Sequence, residues 1–304
     1  MQTLVYDNTF TGCLTALFEV YEYKFEDPQI RPEAQNQSAL FGETHLVHTD
    51  DTKALRVWQG LKRKIAPQSL QAFYRAYLSE EKGVENQLLA FLRHILTGRP
   101  GAEHDYSHPA VNYMVSTAKK VYREKHRMEA FVRFQQQSDG LFIATIDPDF
   151  QVLPLIQPHF ERRYADQRWL IYDTRRHQGL YYDLHQTLPV TLDATERVTT
   201  ESDTSGSNIT GSNNAGSNIT ICDTAESNIT RSTITESNTT ESNTTANPDA
   251  NTPLLTLDEK EEAYQSLWRQ YFSSVNIAAR KNTRLHIRHM PTRYWKYLPE
   301  KQPR

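Results

Sequence analysis

The sequence predicts an α+β fold, on three observations. Apolar residues recur at helical spacing up to about residue 130, strand-like patterns occupy about 130 to 190, and one further amphipathic run follows over 258–280. The strands are expected to pair antiparallel. The two flanking parts, 1–192 and 257–304, are read as one interrupted unit. Residues 193–256 between them are read as a disordered insertion.

Taken in order, Thr3–Asp7 is a short strand candidate. Phe10, Leu14, Leu17, Phe18, Tyr21 and Phe25 then recur with a helical period. Leu55, Trp58, Leu61 and Ile65 form a second stripe, which runs into the basic triplet Lys62-Arg63-Lys64. Leu70, Phe73, Tyr74, Tyr77 and Leu78 form a third stripe. A fourth comprises Val84, Leu88, Phe91, Leu92, Ile95 and Leu96, and Gly98 and Pro100 stop it. Pro109 suits the first turn of a long helix through Val111, Met114, Ala118 and Tyr122. Beyond it, 130–136 alternates, Asp139-Gly140 is a turn, and Leu141–Ile146 is a strand. Val152–Ile156 is apolar, but Pro154 demotes it to an edge or a loop. Trp169–Asp173 and Leu180–Leu184 read as a hairpin around Arg175–Gly179. The run Tyr264, Leu267, Trp268, Tyr271, Phe272 and Val275 forms one helical face, expected to pack back onto the domain, with Asp258 and Glu261 as a capping pair.

The insertion repeats Ser-Asn-Ile-Thr or Ser-Asn-Thr-Thr from Ser207 to Thr245. A unit this polar has no face to bury, so ordering it would cost entropy with little to offset it. Its Asn-x-Thr triplets match glycosylation acceptors, but the N-terminus shows no basic start followed by an apolar run. No stretch approaches the ~18 apolar residues of a membrane span. Cys13 and Cys222 are too few and too far apart for a disulfide framework or a CxxC metal site, and fit a reducing, cytoplasmic setting.

Charge is unevenly spread. The net charge is −3, from 34 Lys/Arg and 37 Asp/Glu, but 193–262 holds 13 of the acidic residues and only 3 of the basic ones. The remainder is therefore net basic. Residues 263–304 hold 9 Lys/Arg against Glu300 alone. Such a segment suits an anionic partner, although a solvated tail looks the same in sequence. In it, Arg284, Arg288, Arg293 and Lys296 interleave with Tyr294, Trp295 and Tyr297. Cations neutralise phosphates and rings stack on unpaired bases, whereas rings that anchor the tail to a core would read alike. Arg162 and Arg163 form a second basic pair suited to phosphate, unless Glu161 or Asp166 pairs with them. Asp147, Asp149, Asp173 and Asp183 end strands, and His159 follows. If they converged, Asp147, Asp149, Asp173 and His159 could hold Mg²⁺ or exchange protons, but Asp147-Pro148-Asp149 is also a good plain turn. His104 and His108, and His286 and His289, have metal-like spacing without identifiable further ligands. There is no metal, nucleotide or iron–sulfur motif, so no cofactor is indicated.

Three stretches together resemble one bacterial family, a domain of unknown function described as acting in DNA metabolism or DNA repair. The first is Tyr6-Asp7 with Phe10 and Gly12 and the helix to Tyr21. The second runs from Asp139-Gly140-Leu141 through Asp147-Pro148-Asp149, Val152-Leu153-Pro154-Leu155 and His159-Phe160 to Tyr172-Asp173 and Gly179-Leu180-Tyr181-Tyr182-Asp183. The third is Tyr271-Phe272 and Ser274-Val275-Asn276-Ile277, then His289-Met290-Pro291-Thr292-Arg293-Tyr294-Trp295-Lys296-Tyr297-Leu298-Pro299-Glu300. The resemblance implies a radical SAM protein as partner and, in some relatives, fusion to a uracil-DNA glycosylase superfamily domain. This chain lacks that domain. It also lacks the radical SAM three-cysteine motif, and its Asp147-Pro148 resembles a glycosylase water-activating motif without the glycine-rich context. The resemblance carries over no catalytic residue. Three readings stay open: a DNA-binding accessory to such an enzyme, an enzyme on DNA in its own right, and a protein-interaction adaptor without DNA contact.

Overall fold

The computed structural model describes residues 2–35, 43–99, 101–192, 219–221, 261–275 and 283–301. The fold is α+β. The chain divides into two compact units. Among the described residues, the first takes 2–126 and 149–152, and the second takes 127–148, 153–192, 219–221 and those from 261 onward.

The first unit is built on a parallel sheet. Strand β1 (Gln2–Tyr6) lies between β2 (Pro28–Pro32) and β3 (Glu43–Leu46), parallel to both. A central strand is covered on both faces, which is why Leu4, Val5 and Tyr6 are all buried. The residue pattern marks β1 but only helices around it, and not β2 or β3. Prolines at both ends of β2 hide it from a strand pattern, and its edge position is what tolerates them.

Helix α1 (Phe10–Glu22) starts at Thr9, whose hydroxyl accepts the Gly12 N–H at 2.9 Å. Asp50 caps α2 (Asp51–Lys64) through the N–H groups of Thr52 and Lys53, and Lys62, Arg63 and Lys64 offset the dipole at its other end. Pro67 opens α3 (Pro67–Tyr77). Gly83, left-handed at φ 81°, precedes α4 (Val84–Leu96), and Pro109 opens α5 (Pro109–Phe131). The core sits between these helices and the sheet, with Leu14, Leu17, Phe73, Leu88, Phe91 and Met114 fully buried. Phe10 packs against Trp58, Tyr74 and Tyr77 at ring distances of 5.5, 4.9 and 4.9 Å.

Glu85 is one of three acids buried in this unit, with Glu19 and Glu124. The Tyr6 hydroxyl donates to Glu85 at 2.9 Å. Burial pushes the Glu85 carboxyl above its ordinary range, against the lowering by its own backbone N–H and by Tyr6.

The second unit has a sheet in the order β4 (Gln135–Gln136), β5 (Phe142–Ile146), β6 (Trp169–Asp173), β7 (Gln178–Tyr182), β8 (Thr187–Leu192) and β9 (Ile219–Ile221). Four of its five pairings are antiparallel, and the exception is β5 beside β6, which run parallel. Parallel neighbours need a crossover, and helix α6 (Leu153–Arg163) supplies it. The apolar run expected as an edge or loop is the first turn of that helix. Pro154 sits where its missing N–H has no intrahelical partner to lose, while Leu153, Ile156 and Phe160 are buried. Trp169, completely buried, packs on Tyr182 at 5.3 Å and on Phe160 at 6.2 Å.

The late amphipathic run forms helix α7 (Glu261–Val275), but the described residues of its apolar face are exposed. Tyr264, Leu267 and Tyr271 are 56, 64 and 58 % exposed. Periodicity marks an apolar face without saying what covers it. What ties α7 down is polar: buried Glu261 accepts the Gln136 N–H at 3.1 Å, and the Trp268 indole donates to Glu300 at 3.0 Å. The repeat segment, apart from β9, and the Asp258 half of the capping pair lie outside the described residues. No described helix is long and apolar enough to cross a membrane.

Two glycines inside helices behave oppositely. A Cβ on Gly12 would come within 2.1 Å of the Asp7 carboxylate, whereas one on Gly60 would meet nothing within 4 Å. Gly12→Ala is therefore expected to destabilise by about 1–3 kcal/mol through overpacking, and Gly60→Ala to stabilise by about 0.5–1 kcal/mol through helix propensity. Urea unfolding of the two variants checks this, and shifts of the same sign would refute it. A second prediction concerns pH. The native state holds the Glu85 proton where the unfolded chain has released it, so this group makes stability fall as pH rises above its ordinary pKa of 4.5. Glu85→Gln still accepts from Tyr6 and cannot ionise, so its stability relative to wild type should be greater at about pH 8 than at about pH 5. An equal difference at both pH values would show that Glu85 titrates normally.

Candidate nucleic-acid interface

The turn between β6 and β7 organises the charged face of the second unit. Asp173 ends β6 with no exposed surface. One carboxylate oxygen accepts the N–H groups of Arg175 and Arg176 at 2.9 and 3.3 Å, and the other accepts the Arg176 guanidinium at 2.9 Å. That guanidinium also reaches the Pro148 carbonyl at 3.2 Å. Arg175 turns the other way, to Asp147 at 3.1 Å, and Lys296 approaches the second Asp147 oxygen at 3.2 Å. Partial burial pushes the Asp147 carboxyl up, but Lys296 and Arg175 outweigh it and hold it below the usual carboxylate range.

These bonds define what the acidic candidates do. Asp147 and Asp173 are brought to one turn, each engaged by arginine. Asp183 accepts the His185 and Gln186 N–H groups, both at 2.8 Å, and so shapes the β7–β8 turn. Asp149 falls in the first unit, where its N–H donates to Glu124 at 3.0 Å. His159, on α6, faces Glu129 at 3.7 Å and meets the Phe160 ring edge-on. Among the described residues, no three His, Cys, Asp or Glu side chains converge as metal ligands.

The basic candidates lie mostly outward. Arg162 and Arg163 are exposed in the last turn of α6. Glu161 does not pair with them; it accepts from Thr187 at 2.6 Å and from Gln157 at 2.9 Å. Helix α8 (Thr283–His289) exposes Arg284 and Arg288 one turn apart, with no acidic partner among the described residues. A 3₁₀ segment, Thr292–Tyr297, follows. In it Tyr294 is an anchor: it is 2 % exposed and lies 5.6 Å from Phe131, so its ring cannot stack on a base. The Arg293 guanidinium lies over that ring at 4.6 Å. The Trp295 indole donates to the Met290 carbonyl at 3.1 Å and stays half-buried, while Lys296 remains exposed.

The roles of Arg175 and Arg176 are not among those expected from the sequence. The available signal was an aspartate at a strand end followed within three residues by arginines, which suits an Asx turn with a charged cap.

Removing one partner of a buried ion pair strands the other, at about 3–5 kcal/mol. Asp173→Ala should therefore be strongly destabilising. Asp147, whose partners are largely exposed, should tolerate Asp147→Asn within about 1 kcal/mol. Guanidinium unfolding distinguishes the two, and equal midpoint shifts would contradict this division.

No curated protein matches the sequence. A family model described as a domain of unknown function, DUF4130, matches residues 82–300. That is well over half of the chain, which belongs to this family.

Proposed function

We propose that the protein binds DNA through its C-terminal segment and serves as an accessory to a radical SAM or glycosylase-type enzyme of DNA repair. One observation carries the DNA part of this reading. In the last 42 residues the sole acid, Glu300, is turned inward to Arg133 at 3.0 Å, with its side chain 1 % exposed, while Arg284 and Arg288 face solvent. The outward charge of the segment is thus positive, the arrangement that neutralises phosphates. The half-buried rings of Trp295 and Tyr297 leave little face for base stacking, so backbone contacts should dominate. The enzymatic partner rests on the resemblance noted above. The exposed Tyr264, Leu267 and Tyr271 of α7 favour a second element of the same reading, contact with a protein partner.

Anisotropy titrations of the full chain on single-stranded, duplex and uracil-containing oligonucleotides across a salt series test the DNA part. Affinity should fall steeply with salt. The combined Arg284→Ala, Arg288→Ala and Arg293→Ala substitutions should weaken binding to all three and reduce the salt slope by roughly three, without unfolding the protein. A slope and affinity equal to wild type would remove the segment from the interface.

A further inference from the structure

We propose that a groove between α1, α2 and α4 in the first unit docks an acidic amphipathic helix of a partner protein. This does not rest on the DNA reading, which concerns the other unit. The groove encloses about 220 Å³. That is below the roughly 300–1,000 Å³ of small-molecule sites, and suits inserted side chains better than a whole ligand. Its floor is apolar, from Leu17, Val57, Leu61 and Leu92, and Tyr21 and Leu96 stand at its mouth 43 and 44 % exposed.

Gly60 forms part of the wall. It sits inside α2, where glycine weakens a helix, and a side chain there would enter open space. No packing contact requires it. What its missing side chain leaves is the depression itself.

The rim selects the occupant. Arg56 and Lys64 line the groove, and no carboxylate does so among the described residues. Arg93 lies beside Tyr21, and Lys62 and Arg63 lie exposed on the last turn of α2. The last-turn cations also complement the helix dipole, but Arg56, in mid-helix, has no such role. An apolar floor with a cationic rim complements a helix carrying apolar anchors at i, i+3, i+4 and i+7 and acids beside them. Nucleic acid fits less well. The Phe18 ring is occupied by Arg56 at 4.9 Å and Lys53 at 5.7 Å, and the floor is mainly aliphatic, so bases have little ring face to stack on.

The test uses the full chain and a labelled synthetic helix with Leu and Phe at the anchor positions and Glu elsewhere, beside a twin with Lys for every Glu and a labelled oligo-dT. The acidic helix should bind at least about tenfold more tightly than its Lys twin. Gly60→Leu, which fills the groove, should weaken it by about tenfold or more without lowering the unfolding midpoint. Arg56→Glu with Lys64→Glu should reverse the preference between the twins. Equal or no binding of the acidic helix, or binding unaffected by Gly60→Leu, overturns the proposal. Oligo-dT binding that is lost in Gly60→Leu would assign the groove to nucleic acid instead.

Discussion

The Asp173 carboxylate is the point on which the second unit turns. A fully buried charge is costly unless donors surround it, and Asp173 has three: two backbone N–H groups and the Arg176 guanidinium. Meeting that requirement closes the β6–β7 turn, holds Arg176 against the Pro148 carbonyl, and leaves Arg175 pointing to Asp147. Asp147 in turn receives Lys296 from the C-terminal segment. A strand end, a loop and the C-terminal segment are thus joined through one set of carboxylates and cations. The same engagement makes Asp173 a structural group, since an acid enclosed by three donors has no open side for a substrate.

In the first unit the comparable constraint is close approach. β1 is central in its sheet, and α1 begins four residues after it ends. Asp7 fills the gap, accepting from the Thr9 N–H and hydroxyl at 3.0 and 2.7 Å and from the Thr49 hydroxyl at 2.6 Å. Only a residue without a Cβ fits over that carboxylate, so Tyr6-Asp7 and Gly12 belong together for a packing reason. The adjoining Tyr6 is buried and bound to Glu85, and its burial drives the phenol well above its ordinary range. A polar cluster lies at the carboxyl end of a central strand, yet its groups are mutually satisfied.

The C-terminal segment divides its residues by chemistry. Tyr294 and Leu298 are buried and fasten it, while Arg284, Arg288, Arg293 and Lys296 lie at the surface and its one acid is turned in. Aromatic and basic residues that alternate in sequence thus separate in space into an anchor and a charged face. Helix α7 shows the converse: Glu261 and Trp268 hold it by hydrogen bonds, and Tyr264, Leu267 and Tyr271 stay exposed.

Much of the local structure could be read from the residues alone. Pro109 at a first turn and the Asp139-Gly140 turn depend on neighbours within a few positions, so short-range rules suffice for them. The α+β class follows from the same periodicities. What needed the tertiary structure were decisions between distant segments. β2 and β3 exist because β1 offers hydrogen-bonding edges, not because Pro28–Pro32 looks like a strand. β5 and β6 are parallel because α6 crosses between them, which strand patterns cannot report. For the candidate site, the basic residues were legible as types, but which ring anchors, which acid turns inward and which carboxylate is enclosed were not. Those outcomes depend on burial, and burial is set by partners far away in the chain.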